Sequence, residues 1–162
     1  MERNLEVGLV MPKVVYPNDD TQYLCKLLPT PYDMLLRRFV PCASVKGKRN
    51  ETYELRFTGY NYEMEVPFLS GCFMFLRVSA LKDIGLFDER FFLYGEDADL
   101  SRRIHLKYKT MFLPDATIYH EYQKASYKSF RMTMIHFRSM AQYFNKWGWF
   151  FDKDRKIINQ LT

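Results

Sequence analysis

The chain has 162 residues, of which 48% are hydrophobic and 17% aromatic, so it fits one folded domain spanning 1–162 and is no disordered tail. Its net charge of +5 suits phosphates, anionic lipid headgroups or nucleic acid without distinguishing them. No basic run is interleaved with aromatics, and the acidic residues concentrate at 88–99, so we expect no nucleic-acid partner.

Cysteine usage and hydropathy bear on the cellular compartment. The three cysteines, Cys25, Cys42 and Cys72, match no metal-binding spacing, and their odd number argues against a disulfide framework. The longest apolar stretch, Val66 to Leu76, is shorter than the roughly twenty residues of a spanning helix. The first residues also lack the apolar segment of a signal peptide. We therefore expect a cytoplasmic protein, soluble or peripheral at the inner face of the cell membrane.

The first third of the chain predicts a hairpin, a short helix and a loop. Leu5 to Tyr16 is a valine-rich strand, Pro17 to Asp20 has turn chemistry, and Thr21 to Leu28 is a second extended run. An N-cap and a first-turn proline begin a helix over Thr30 to Phe39. The polar stretch Ser44 to Glu51 is predicted as a loop.

The middle of the chain predicts an interrupted strand followed by two helices. Glu65 to Val78 is extended except at a serine-glycine pair, where a glycine often marks a bulge or the close approach of a ligand. A short helix begins at Ser79 and stops at Gly85. The acidic and aromatic segment Leu86 to Asp97 has no helical period and leads into a helix, so its last carboxylates lie at a helix N-terminus.

The last third predicts two short strands and two helices. Thr110 to Leu113 and Ala116 to His120 are extended pieces on either side of a proline-aspartate turn. A long amphipathic helix begins at Ser126, is broken at Trp147 to Phe151, and precedes a last helix capped by Asp152. The apolar face of the long helix consists of Phe130, Met134, Phe137, Ala141 and Phe144.

The sharpest chemical signal is a group of three carboxylates, Glu96, Asp97 and Asp99, followed by Arg102 and Arg103. A helix N-terminus favours ionised carboxylates through its unpaired N–H groups, whereas their mutual repulsion acts in the opposite direction. Asp99 has the helical spacing for an ion pair with either arginine. A carboxylate left free is a candidate general base. An ordinary acidic first turn gives the same pattern, and local sequence alone favours that plainer interpretation.

His120 is a candidate metal ligand or acceptor contact because it ends a predicted strand, with Asp115 before it and Glu121 after it. A lone histidine is more often a hydrogen-bonded structural residue. His105 and His136, both on predicted helices, receive that structural interpretation.

Three parts of the chain together resemble bacterial family-2 glycosyltransferases, especially the rhamnosyltransferase-like group. They are Phe68 to Arg77, Ile84 to Arg103, and His120. The resemblance covers nearly the whole chain, because Val10 to Lys13 and the turn at Asn18 to Asp20 are similar to the segment that follows the nucleotide-binding half of that family. It implies an α/β fold of the GT-A type, a mixed sheet flanked by helices, of which this chain is the C-terminal, acceptor-side half.

The resemblance also implies the site. Asp97 is the expected catalytic base of an inverting sugar transfer, with Glu96 shaping the site and Asp99 paired to a neighbouring arginine. His120 matches a metal-contacting histidine of some relatives. The implied substrate-binding residues are Ser70, Gly71, Asp99, Arg102 and Arg103, with Gly71 allowing close approach of the donor sugar.

The family's nucleotide-binding half, which ends in an Asp-x-Asp metal motif, is expected before Leu5 and has no counterpart here. We therefore expect a fragment, inactive alone, of an enzyme that transfers rhamnose or a similar sugar from a nucleotide-sugar donor to a hydroxyl of a glycan or glycolipid acceptor in surface polysaccharide synthesis. Mg²⁺ or Mn²⁺ is expected in the complete enzyme and not in this fragment. Unpaired sheet edges near Leu5 and Val66 predict self-association.

Two alternatives of another class remain open. A non-catalytic carbohydrate-binding or assembly module is consistent with the absent metal motif. A membrane-surface interaction module is consistent with the basic charge and with Trp147 to Phe151, although these residues fit a helix packed on the core nearly as well.

Overall fold

A four-stranded mixed sheet forms the centre of the fold. The computed structural model describes residues 1–2, 4–33, 43–121 and 129–162. The sheet consists of β1 (Val7–Val15), β3 (Met64–Glu65), β5 (Phe75–Leu76) and β6 (Lys109–Tyr119), in the order β3-β6-β1-β5. The central pair β1 and β6 is parallel, whereas β3 and β5 pair antiparallel at the two edges. A smaller sheet pairs β2 (Cys25–Lys26) with β4 (Phe68–Leu69).

The helices lie around this sheet, as the resemblance implied. Their bounds are α1 (Ala43–Tyr53), α2 (Val78–Ile84), α3 (Glu96–His105), α4 (Phe130–Trp147) and α5 (Lys153–Leu161). None of the helices in the described ranges is long and apolar enough to cross a lipid bilayer.

Strand β1 is apolar along almost its whole length because both of its faces are covered. Side chains of β1 pack against α3, and the strand pairs with its neighbour β6. The main core cluster includes Leu9, Met11, Val14, Leu100, Ile104 and Phe112. Helix α3, which begins with the carboxylate group, is therefore anchored by its apolar side to the central strands.

The predicted hairpin is wrong beyond its turn. The turn itself forms, with the Tyr16 N–H donating to the Asp20 carbonyl. Residues 21–28 then contribute one bridge, Val15 with Thr21, and the short strand β2, which joins the other sheet. Strand β1 instead pairs with β6 and β5, so the predicted unpaired edge near Leu5 is also wrong. An all-apolar strand suits the interior of a sheet, where distant segments decide the pairing.

Two further local predictions are wrong. Residues 109–119 form one strand, and Pro114-Asp115 lies in a bulge where the register with β1 shifts between Pro12 and Lys13. A proline is tolerated at a bulge because no ladder hydrogen bond is lost there. The loop predicted over Ser44 to Glu51 is part of α1, which has no apolar stripe and is anchored by the Arg49–Asp33 ion pair and by the buried Tyr53.

Several local predictions are confirmed. Helix α2 ends at Gly85, α3 begins at Glu96 after a non-helical segment, and the Asp152 side chain caps α5 by accepting the Arg155 N–H. The apolar face of α4 is confirmed only in its C-terminal half, because Phe144 is buried whereas Phe130 is 82% exposed. Most of the predicted helix over 30–39 and the predicted start at Ser126 lie outside the described residues.

A buried ion pair joins α3 to the start of α5. Both terminal nitrogens of Arg102 donate to the two carboxylate oxygens of Asp152 at 2.7 Å, and the Trp147 ring lies 4.1 Å from the guanidinium. Burial alone would raise the pKa of Asp152, but the hydrogen bonds from Arg102 and from the Arg155 N–H outweigh burial and hold the pKa below its ordinary value. The pair therefore stays ionised near neutral pH.

Replacing Asp152→Asn should destabilise the protein strongly, because Arg102 keeps its charge and loses its counterion. We expect the free energy of unfolding at pH 7 to fall by about 3–5 kcal/mol in urea titrations. The lowered pKa of Asp152 means that its stabilisation is present above the ordinary carboxyl value of about 3.9 and is lost as the pH falls further. The difference between variant and wild type should therefore shrink below about pH 4.

Asp83→Asn is the matched control. Asp83 is exposed and pairs with the exposed Lys107, so its replacement should change the free energy of unfolding by less than about 1 kcal/mol. Equal destabilisation by the two substitutions at pH 7 would contradict the importance of the buried pair.

Candidate active site

Gly95 sets the start of helix α3. Its φ of 83° lies in the left-handed region, and its carbonyl accepts the first helical hydrogen bond from the Asp99 N–H at 2.9 Å. A Cβ atom at this position would lie 2.9 Å from the Met140 side chain of α4. The left-handed backbone conformation therefore favours glycine here, and a side chain would also require the flexible end of Met140 to move.

The Asp97 carboxylate is oriented by two backbone donors. The Gly71 N–H donates to Oδ2 at 2.9 Å, and the Ala98 N–H donates to Oδ1 at 2.8 Å. A Cβ atom on Gly71 would approach the Asp97 Cβ to 3.1 Å, so the absence of a side chain lets the turn at Ser70-Gly71 lie against the carboxylate. Asp97 remains partly exposed to solvent. The structure thus brings Ser70, Gly71 and Asp97 together, as the sequence predicted, while contact of these residues with a sugar stays a prediction.

Glu96 differs from Asp97 in its environment. Its side chain is half-buried, and its Oε2 atom has no hydrogen-bond partner among the described residues. Burial, and then the neighbouring charge of Asp97, raise the pKa of Glu96 above its ordinary value. Ionisation of Glu96 is therefore less favourable than that of a glutamate exposed to water.

Asp99 points into the protein, away from the other two carboxylates. It is 0% exposed and accepts hydrogen bonds from Arg103 Nε at 2.9 Å and Trp147 Nε1 at 2.7 Å. Lys146 Nζ lies 2.7 Å from the same carboxylate. The expected ion pair of Asp99 with a nearby arginine is confirmed, and its partner is Arg103.

The two arginines are committed to protein groups. Arg103 donates to the carbonyls of residues 84–86 at the end of α2, in addition to Asp99. Arg102 is 1% exposed and bonded to Asp152. Asp99 and Arg102 are buried and bonded to protein groups, an arrangement that suits fixing α3 more than contacting a substrate, and their substrate-binding role stays a prediction. Direct substrate contact by Arg103 stays a prediction.

His120 follows β6 directly, at the end of the central parallel pair. Its backbone N–H donates to the Val15 carbonyl at 2.9 Å, and its ring Nδ1 lies 3.1 Å from the Gln22 side-chain oxygen. Across the described ranges no three His, Cys, Asp or Glu side chains are placed to hold a metal ion. The described residues alone therefore do not form a divalent-cation site, and the metal role of His120 stays a prediction.

Sequence analysis missed the residues that connect His120 with Asp97. Gln22 contacts His120, the nearby Leu24 carbonyl accepts from the Ser70 N–H at 3.3 Å, and Gly71 then donates to Asp97. This series of contacts lies at the carboxyl end of the parallel strands β1 and β6. Ligands of open α/β sheets bind at that end of the strands.

Cys72 is a second missed neighbour of the candidate base. Burial raises the pKa of its thiol, the charge of Asp97 raises it further, and Lys26 acts in the opposite direction. Cys72 and Lys26 therefore lie at the same edge as Asp97. The available sequence signal was the position of Cys72 directly after the serine-glycine pair, whereas nothing near Lys26 in the sequence pointed to this edge.

A comparison with known protein families identifies the family of this chain. The sequence profile described as "Glycosyltransferase like family 2" matches residues 30–141, which include the Asp97 motif. The chain belongs to this family. The mixed sheet flanked by helices fits a domain of this family, and membership of the family supports the transferase class predicted from the sequence. No solved structure matches the chain significantly.

Two curated relatives are similar over a shorter segment. They are the N-acetylglucosaminyl-diphospho-decaprenol L-rhamnosyltransferases of Mycobacterium tuberculosis strains CDC 1551 / Oshkosh and ATCC 25618 / H37Rv, each 39% identical over 59 residues. The match covers 36% of this chain and 19% of each relative. The rhamnosyltransferase-like resemblance is thus supported, and the similarity extends over about a fifth of the length of these relatives.

Glu96→Gln should stabilise the protein at neutral pH. A raised carboxyl pKa favours the folded state at low pH, and that contribution is lost as the pH rises above the ordinary value of about 4.3. The amide never ionises, so the variant should exceed wild type in urea midpoint at pH 7 and match it at pH 4. Glu63→Gln, at an exposed site, should leave both midpoints unchanged. A variant less stable than wild type at pH 7 would contradict the burial cost inferred for Glu96.

Proposed function

We propose that this chain carries the acceptor side of an inverting sugar-transfer site, with Asp97 as the general base. The observation that carries the proposal is the contrast within one motif. Asp97 is partly exposed and held by two backbone N–H groups, whereas Asp99 is buried and fully occupied by protein donors. A general base must reach the proton that it removes, and only a solvent-facing carboxylate satisfies that requirement.

The half-buried environment of Glu96 supports the same assignment. Burial raises the pKa of Glu96, which makes Glu96 the poorer candidate for an ionised base. Asp97 accepts hydrogen bonds from two backbone N–H groups and remains partly exposed, so its carboxylate is positioned to meet an acceptor hydroxyl. The turn at Ser70-Gly71 restricts its orientation, which lowers the entropic cost of aligning it with an acceptor.

The proposed step transfers one proton and one glycosyl group. An acceptor hydroxyl gives its proton to the Asp97 carboxylate while its oxygen attacks the anomeric carbon of the donor sugar. The bond between that carbon and the diphosphate breaks, and the nucleoside diphosphate leaves with the electron pair. Attack on the side opposite the leaving group inverts the anomeric configuration.

Donor and acceptor are proposed from the relatives. The names of the relatives specify an L-rhamnosyl group and a diphospho-decaprenol carrier. We propose that rhamnose or a similar sugar is transferred from a nucleotide-sugar donor to a hydroxyl of a glycan or glycolipid. The transfer would belong to surface polysaccharide synthesis at the cytoplasmic face of a bacterial membrane. Mg²⁺ or Mn²⁺, when bound, would neutralise the leaving diphosphate, with His120 as one ligand. Because the described residues gather no ligand cluster, we place the other ligands outside them and expect no transfer by this chain alone.

Asp97→Asn in the full-length protein should lower kcat by about a hundred- to ten-thousand-fold. The amide keeps the size of the carboxylate but accepts no proton. The melting temperature and the Kd for the nucleotide-sugar donor should stay close to those of wild type, because Asp97 is partly exposed and makes no buried ion pair. Initial rates, thermal melts and donor calorimetry together provide the measurement.

Asp99→Asn is the matched comparison. Its buried carboxylate neutralises Arg103 and Lys146, so its loss should cost about 3 kcal/mol of stability and affect kcat less than Asp97→Asn does. The reverse ranking in kcat would show that the base is the wrong carboxylate. Acceptor binding without any turnover in the wild-type full-length protein would favour a carbohydrate-binding module instead.

A further inference from the structure

An aromatic loop, defined here as Gly148–Phe151, projects from the protein between α4 and α5. Phe150 is 78% exposed and Phe151 is 100% exposed, and the Trp149 ring is partly exposed beside them. Two adjacent phenylalanine side chains exposed to water are unfavourable, because folding does not remove their apolar surface from water. The exposure of such a pair is a feature that a binding partner would explain.

The aromatic loop is held in this exposed position. The buried Arg155 donates to the carbonyls of Gly148 and Trp149, at 3.2 and 2.7 Å. The Gly148 N–H donates to the Phe144 carbonyl, and the Trp149 ring nitrogen donates to Asn145. These bonds fix the backbone of Gly148 and Trp149, directly before the two phenylalanines.

The charges beside the aromatic loop favour an anionic partner. The Asp152 carboxylate is buried against Arg102, and Arg155 is buried as well, so neither contributes an exposed charge. The exposed charges on the first turns of α5 are Lys153 and Lys156 against Asp154. An apolar tip flanked by lysines with flexible stems matches the boundary between acyl chains and anionic headgroups.

We propose that the aromatic loop inserts into the interfacial region of an anionic lipid bilayer, with Lys153 and Lys156 at the headgroups. A projecting tip of two rings fits a deformable lipid surface, whereas lysine is depleted in the cores of protein interfaces. The Asp152–Arg102 pair connects the loop to α3, the helix that begins with Asp97. If the proposed function holds, membrane binding therefore fixes the height of the base above the lipid surface; the lipid binding itself does not depend on that function.

Vesicle sedimentation tests the insertion directly. The wild-type chain should bind vesicles of phosphatidylcholine with phosphatidylglycerol, and Phe150→Ser with Phe151→Ser should weaken binding by at least about tenfold. Phe130→Ser is the matched control, because Phe130 is 82% exposed near the opposite end of α4. It removes a comparable ring and should leave vesicle binding unchanged. All three positions are exposed, so unfolding midpoints should stay at the wild-type value and exclude misfolding as the cause.

The contribution of Lys153 and Lys156 is tested by measuring the binding of lysine variants to anionic vesicles. Lys153→Gln with Lys156→Gln should weaken binding to the anionic vesicles by roughly tenfold, and the exposed Lys82→Gln should have little effect. Failure of the wild type to bind, or equal binding by the double phenylalanine variant, would overturn the proposal. Light scattering that shows a wild-type dimer and a monomeric double phenylalanine variant would also overturn it, because a second copy would then cover the loop.

Failure of this proposal is distinguishable from failure of the proposed function. Asp97→Asn should bind vesicles as wild type does, since Asp97 is not part of the aromatic loop. Loss of transfer with intact vesicle binding would concern the base alone, and intact transfer without vesicle binding would concern the aromatic loop alone.

Discussion

Arg102 carries a permanent positive charge into the interior, and the positions of three helices depend on satisfying it. Asp152 neutralises the charge with two hydrogen bonds, and the Trp147 ring covers one face of the guanidinium. A buried charge without its partner is strongly unfavourable, so α3, α4 and α5 have little freedom to shift relative to one another. The candidate base, on the first turn of α3, is thereby held in place by residues that are themselves buried.

Helix periodicity separates the chemical and structural duties of neighbouring carboxylates. Asp97 lies on the side of α3 that meets the turn containing Gly71, whereas Asp99, two residues later, lies on the inner side. A helix advances about 100° per residue, so two positions apart is nearly the opposite face. Arg103 then follows Asp99 by one helical turn and ties α3 to the end of α2. One short motif can thus supply both a reactive group and its support.

Several helix boundaries and a helix cap, which depend on local sequence, were predicted correctly. Strand pairing, which depends on contacts between distant segments, was not. The start of α3 and the cap at Asp152 follow from local helix signals. The role of Asp97 rests on a family pattern and stays a prediction. The pairing of β1 has no local signal, because its apolar residues suit any interior neighbour and the choice of β6 depends on the whole chain. The same limit explains Gln22, whose link to His120 spans 98 positions and has no local signature.

The Arg102–Asp152 pair also affects the order of folding during synthesis, since the two residues lie 50 positions apart. Arg102 is therefore synthesised before its counterion. Helix α3 can form early, but its buried charge stays hydrated, and the helix cannot dock finally until α5 follows. A translation product interrupted before Asp152 would contain the entire Glu96-Asp97 motif and still present an unfinished interior to cellular proteases. Completion of the chain and completion of the site are therefore coupled events.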